Sequence, residues 1–431
     1  MDKTGEQDGG WPGRIAVVSV WTKGFIWVAI LKGLGILLPT FQEEFLVQTW
    51  ILGWMSSLLL ATIGLIGPFA GLAGRHFGSG VVIMISGSLI GGSFIAGSLC
   101  TNAFQLAVCL MVMAGTGFGL AGVLVRDALG RCFSKNYATA VGLARTGNSI
   151  GMLTLPPFIQ LLLVTYGWRG TMMIIGAISL HLAVCGALMV TVGKNICQLN
   201  GYKRLHPENH ADQLESKTSF LSQCATMVKT TAKNLDMKIL SNWRYWAVGV
   251  ILIINKFAFD MWVIYFVSQI QSKGFTIEDA TFFVTVAGVG DLIIKILQGV
   301  CVDRGIISHW LLMTSAIIVG SVTYCATPWL NSYWTLMSAA FLTLVSDGLL
   351  ACLTDVVTKQ VLGVELLAGA YGWLGLKTAM LRISMGFIPG LIYDISGSYD
   401  ASFIFLGLLR AFPLLPLTLL RYFHNKNETN Q

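Results

Sequence analysis

Apolar residues in this chain gather into twelve long blocks, at 15–41, 48–73, 80–99, 104–125, 136–162, 171–192, 244–269, 279–301, 306–327, 332–356, 366–392 and 401–422. A helix rising 1.5 Å per residue needs roughly 20 apolar residues to cross a hydrocarbon layer about 30 Å thick. Every block meets that length. Polar residues fill the short joints between blocks and one long segment, the linker loop 193–243, which splits the chain into two sets of six. The pattern predicts an all-α membrane protein of twelve transmembrane helices in two six-helix bundles, 15–192 and 244–422. The flanking tails are 1–14 and 423–431.

Composition agrees. The 431 residues are 55% hydrophobic and 11% charged, with mean hydropathy +0.70. A soluble chain carries about 25% charged residues. The lipid bilayer is thus the first partner. The net charge of +7 does not point to nucleic acid, because the basic residues lie mostly in loops. The nine cysteines show no paired spacing and read as small buried hydrophobes, with no disulfide framework implied. No metal cluster, phosphate-cradling glycine loop or nucleophile–base arrangement stands out, so no enzyme, cofactor or metal is implied.

Basic residues also set an expected orientation. The linker carries Lys194, Lys203, Arg204, Lys217, Lys229, Lys233 and Lys238. The joints after blocks 2 and 4 carry Arg75, Arg131 and Lys135. Joints after blocks 1, 3, 9 and 11 carry none, so both termini and the linker are expected in the cytosol, with Arg169 and Lys273 as outward exceptions. The halves echo each other. Gly71-Leu-Ala-Gly-Arg75-His76 closes block 2, and Gly299-Val-Cys-Val-Asp303-Arg304 closes block 8. Blocks 5 and 11 carry late prolines, Pro156, Pro157 and Pro389. Paired halves with a site between them are a common plan of secondary carriers.

Charges inside the blocks are the candidate chemistry. Asp291 and Lys295, four residues apart, share one helical face. A charge at that depth costs about 3 kcal/mol unless it finds a partner or water. The other internal cations are Lys23, Lys32, Arg126, Arg145, Lys256, Lys377 and Arg382, and the other acids are Asp127, Asp260, Asp347 and Asp355. Cations outnumber acids, so a positive cavity that attracts an anion is expected. Arg145, in the glycine-rich run of block 5, reads as a cavity residue whose fork could take a carboxylate. Arg382 admits substrate binding and a link to Asp347 equally, and Lys23 admits a packing and a site role equally. Lys256 and Asp260 read as a structural i,i+4 pair, and Arg126 and Asp127 as reaching headgroup depth. Asp355 reads as reaching the inner interface, and Asp303, Arg304, Asp347 and Lys377 as gating or structural charges.

Several motifs resemble the monocarboxylate transporters of the major facilitator superfamily. They are Asp8-Gly-Gly-Trp11, Gly142-Leu-Ala-x-x-Gly147-x-x-x-Gly151, Tyr166-Gly-Trp-Arg-Gly170, Cys185-Gly-Ala-Leu-Met189, Asp347-Gly348 and Gly390-x-x-Tyr-Asp394. The resemblance implies the major facilitator fold, alternating access and transport of small carboxylates or related metabolites. It implies a substrate lysine in the first helix, which falls at Lys32, and a charge pair in the eighth, which falls at Asp291 and Lys295. Lysine at 295 stands where proton-coupled members have arginine, and it cannot form that residue's planar fork.

The resulting expectation is a secondary transporter of small monocarboxylates or related organic anions at the plasma membrane. Lys32, Lys295, Arg145 and Arg382 bind substrate, Lys32 and Asp291 couple a proton, and a single-pass membrane chaperone is a candidate partner. Two alternatives stand beside it: proton-independent transport of an amino acid, creatine-like or other zwitterionic metabolite, and a transport-inactive receptor or scaffold.

Overall fold

In the computed structural model the residues described are 9–46, 49–199, 237–385 and 388–429. Asp8 of the first motif, the tail before it and most of the basic linker residues lie outside this set.

The helices follow the apolar blocks. In the first half, α1 is Gly10–Phe45, α2 Thr49–Phe77 and α3 Ser79–Ser98. Helix α4 runs from Ala103 to Cys132 through one π-helical stretch, Cys109–Ala114. The run Tyr137–Ser179 is broken at Gly167, whose φ of 67° suits a residue without a Cβ. Residues 137–166 are therefore α5, and 168–179 continue through His181–Leu199 as α6. In the second half, α7 is Trp243–Ser272, α8 Ile277–Asp303, α9 His309–Ala326 and α10 Tyr333–Leu362. Helix α11 comprises Leu367–Met385 and Ile388–Ser396, and α12 comprises Tyr399–Ala411 and Leu414–Thr429. The two bundles are α1–α6 and α7–α12. Apolar side chains such as Leu161, Val164, Ile293 and Leu297 are exposed, as a chain surrounded by hydrocarbon requires.

Within a bundle, small residues let backbones close up. Gly147 of α5 lies against the backbone of Trp21, and Gly151 against Val28 of α1. Between bundles the same device recurs on the side of the membrane that carries the linker. A methyl added at Gly67 of α2 would sit 2.7 Å from the Gly372 carbonyl oxygen of α11, and one at Gly299 of α8 only 2.6 Å from Thr139 Cα of α5. Helices α2 and α11, and α5 and α8, thus meet backbone to backbone near the linker side.

Candidate functional site

The linker-side contacts are reinforced by charge. Asp303, at the end of α8, accepts hydrogen bonds from the backbone N–H groups of Ala138 (3.2 Å) and Thr139 (2.6 Å). Those are orphan donors of the first turn of α5, where a carboxylate also meets the positive end of the helix dipole. Lys359 of α10 donates to the Phe133 carbonyl and lies 4.1 Å from the Tyr137 ring centre. Arg304 is exposed at the surface.

One layer deeper, Arg145 of α5 donates from Nε (3.1 Å) and Nη2 (2.6 Å) to Oδ2 of Asp355 on α10. Arg126 of α4 stands 3.9 Å from the same carboxylate's Oδ1 and 4.3 Å from the Tyr371 ring. This corrects two expectations. Arg126 belongs to the junction between halves rather than to the headgroups, and Asp355 is 2% exposed and pairs inward. Asp127 is fully buried and accepts from Arg131 Nε at 3.0 Å. The cross-bundle partner explains both shifts: an arginine fork on a carboxylate recovers the cost of burial that a solitary charge could not.

Above it, Lys295 Nζ donates to Asp291 Oδ2 (2.6 Å) and to Ser149 Oγ (2.9 Å), and Ser149 Oγ donates to Asp291 Oδ2 (2.7 Å). The i,i+4 pair forms as the spacing expects, and a hydroxyl from the opposite bundle closes it into a triangle. Gly348 of α10 leaves the space that the Asp291 carboxylate occupies.

The middle layer differs in character. Lys23 lies 13 residues beyond Gly10 in α1, and Lys256 lies 13 beyond Trp243 in α7. That is about 20 Å along each helix from the linker side, near the membrane centre. Asp260 does not pair with Lys256. It accepts from Arg382 Nε of α11 at 2.7 Å, with Nη2 on the same oxygen, so the expected Lys256–Asp260 pair is replaced, and of the two readings of Arg382 the link to Asp347 is not formed. Asp347 instead faces Arg410 of α12 at 3.9 Å. Arg410 is fully buried and also donates to Tyr324 Oη (3.1 Å) and Ser346 Oγ (2.9 Å).

Among the described residues, Lys256 and Lys23 have no carboxylate within ion-pair distance. Lys256 is exposed at mid-span, yet it shares the field of Asp260, Arg382 and Asp347 in its own bundle and of Arg145 in the other. It therefore faces the opposite bundle. Lys23 lies 5.4 Å from the Trp27 ring, beside Gly122 of α4, where it meets the repulsion of Arg126, Lys256 and Arg145.

Lys32 is half-buried and lies 22 residues beyond Gly10, about 33 Å along α1 from the linker side, and no charged side chain among the described residues stands beside it. The structure does not bring it to Asp291 or Lys295. Lys377 is set 3.3 Å from the Trp246 ring and 4.3 Å from that of Tyr245 at the start of α7, away from the central layer. On the far side of the membrane, two polar ties among the described residues lie within a bundle. Arg169 meets Glu44 at 3.3 Å, and Lys273 donates to the carbonyls of Pro328 (2.7 Å) and Leu330 (2.9 Å). Among the described residues, the charged ties that join the bundles lie toward the linker side.

Counting residues from the two helix starts is the signal that singles out Lys23 and Lys256, since it sets both at one depth. The cross-helix partners Ser149, Asp355 and Arg410 have no comparable signal in the spacing.

Comparison with known proteins agrees with this geometry. The family model of the Major Facilitator Superfamily matches residues 20–379. Human monocarboxylate transporter 12 is 27% identical over 99% of this chain and 83% of its own length, and human monocarboxylate transporter 14 is 27% identical over 96% and 91%. Among solved structures, the human organic anion transporter MFSD10 superposes with a TM-score of 0.69 at 15% identity, covering 94% of this chain and 99% of that one. The proton:xylose symporter XylE superposes at 0.68 and 14%, covering 96% and 95%. Two six-helix bundles latched at one side over a charged central layer, together with these matches, establish that the chain belongs to the Major Facilitator Superfamily, with monocarboxylate transporters among its relatives.

Proposed function

We propose that this chain moves a small organic anion, of the monocarboxylate class or a close chemical relative, across the plasma membrane by alternating access. The observation that carries the reading is the pair of ammonium groups, Lys23 and Lys256, without carboxylate partners at mid-span among the described residues. Unpaired charge in a low-dielectric wall focuses field on the space between the bundles and draws a counter-ion there. The linker side is the cytosolic one in this proposal, so the charged ties described close the cytosolic side.

An anion enters past Lys32 and settles in the middle layer, where Arg382 can turn from Asp260 toward it. Bundle rocking then parts Arg145 from Asp355 and offers Arg145 and Lys295 to the substrate on its way inward. A co-transported proton, taken up by way of Lys32, on Asp291 would release Lys295 from its ion pair and so couple release to pH. A second reading, transport of a zwitterion, draws on Asp260, a carboxylate in the same layer that could take a substrate ammonium.

Uptake of labelled acids and zwitterions into cells displaying the chain, at external pH 6 and 7.5 on the order of millimolar substrate, tests these readings. Acid-stimulated anion uptake is expected. Uptake confined to zwitterions would replace the first reading with the second, and no uptake despite surface display would overturn both.

A further inference from the structure

The same central layer carries a more specific inference about substrate charge, which rests on the proposed transport of an organic anion. Each aspartate of the spanning core faces its own basic group: Asp127 with Arg131, Asp260 with Arg382, Asp291 with Lys295, and Asp355 with Arg145. Asp347 looks toward Arg410. Once these are matched, and with Lys32 and Lys377 set away from the middle layer, two ammonium groups remain in that layer among the described residues, one on each bundle, at equal depth in the first helix of each half.

They are not equivalent to one diffuse positive patch. Lys23 is steadied by the Trp27 ring and by the vacancy at Gly122, while Lys256 projects from the opposite wall beside the engaged Asp260. The two repel each other across the space between the bundles, and Arg145 repels both. A monoanion can meet only one of them directly. An anion with two separated negative charges can satisfy one on each wall and tie the bundles together.

We propose that the central site takes a dicarboxylate, one carboxylate on Lys23 and the other on Lys256. A ligand that bridges the walls also has the differential grip needed to drive closure, because it contacts both bundles only when they approach.

The test is uptake of labelled succinate and labelled lactate by the full chain in proteoliposomes, with each acid also offered as an unlabelled competitor of the other. Succinate is expected to be carried in preference. Lys256→Gln should lower the succinate-to-lactate uptake ratio about tenfold, as expected for loss of one charged hydrogen bond made by the second carboxylate alone. Lys256→Arg, which keeps the charge, should retain the preference and controls for folding. Lactate uptake with no succinate uptake or inhibition, or an unchanged succinate-to-lactate ratio in Lys256→Gln, would overturn the dicarboxylate assignment and leave organic-anion transport standing. Uptake of neither acid, nor of any other anion, would overturn both together.

Discussion

Arg145 and Asp355, 210 residues apart in sequence, join the two bundles through a single carboxylate oxygen that receives both Nε and Nη2 of the arginine. In the proposed cycle this pair is a latch: it forms while the linker side is shut and weights the equilibrium toward the conformation seen here.

Asp355→Asn keeps the shape and removes the charge. Loss of a charge-assisted bond worth about 2 kcal/mol shifts the population by about tenfold or more toward the state open on the linker side. A cysteine introduced at Thr139, beneath Asp303, should be labelled correspondingly faster by a reagent supplied from that side. Unchanged labelling would show that Asp303 and Lys359 hold the side shut without Arg145.

The Asp291–Lys295–Ser149 triangle should behave as a buried pair. Lys295→Met leaves an uncompensated carboxylate and is expected to cost about 3–5 kcal/mol, read as a lowered Tm in detergent. Combining it with Asp291→Leu should recover most of that loss, because no lone charge remains. A double variant no more stable than the single one would show that the triangle is open to water.

Two arginines separate structure from transport. Arg410 is fully enclosed between Tyr324, Ser346 and Asp347. Arg410→Met is expected to destabilise by about 3 kcal/mol. Arg382 is half-buried, so Arg382→Gln should destabilise less than Arg410→Met. It should nevertheless abolish uptake at normal surface amounts. The reverse pattern would exchange their roles.

Lys32→Gln tests the outer end of the path, where it should abolish uptake with surface display retained. Asp291→Asn should flatten the dependence of uptake on external pH. A steep pH dependence surviving in Asp291→Asn would move the proton to another carrier, and normal uptake in Lys32→Gln would remove that lysine from the path.

Much of this architecture was legible in the sequence because burial in lipid demands long apolar runs, and twelve such runs leave little freedom. The Asp291–Lys295 contact was legible for the same reason, since both residues sit on one helix. Lys256 and Asp260 have identical spacing and do not pair. A planar guanidinium on α11 reaches Asp260 and outcompetes the lysine, and nothing within α7 announces that competitor. Ser149, Asp355 and Arg410 were hidden likewise, because their partners come from helices whose packing no local pattern specifies. The equal depth of Lys23 and Lys256 needed only a count from each helix start, and it identifies the pair that pairing rules alone miss.

The glycine seam between α2 and α11 has a mechanical meaning. Where Gly67 meets Gly372, neither surface carries knobs to be withdrawn from holes, so the plates can slide or tilt without first unthreading side chains. In the proposed rocking cycle the friction of this joint is thereby kept low, and the energy that holds it at one end of its stroke is left to a few charged clasps that water or a ligand can undo.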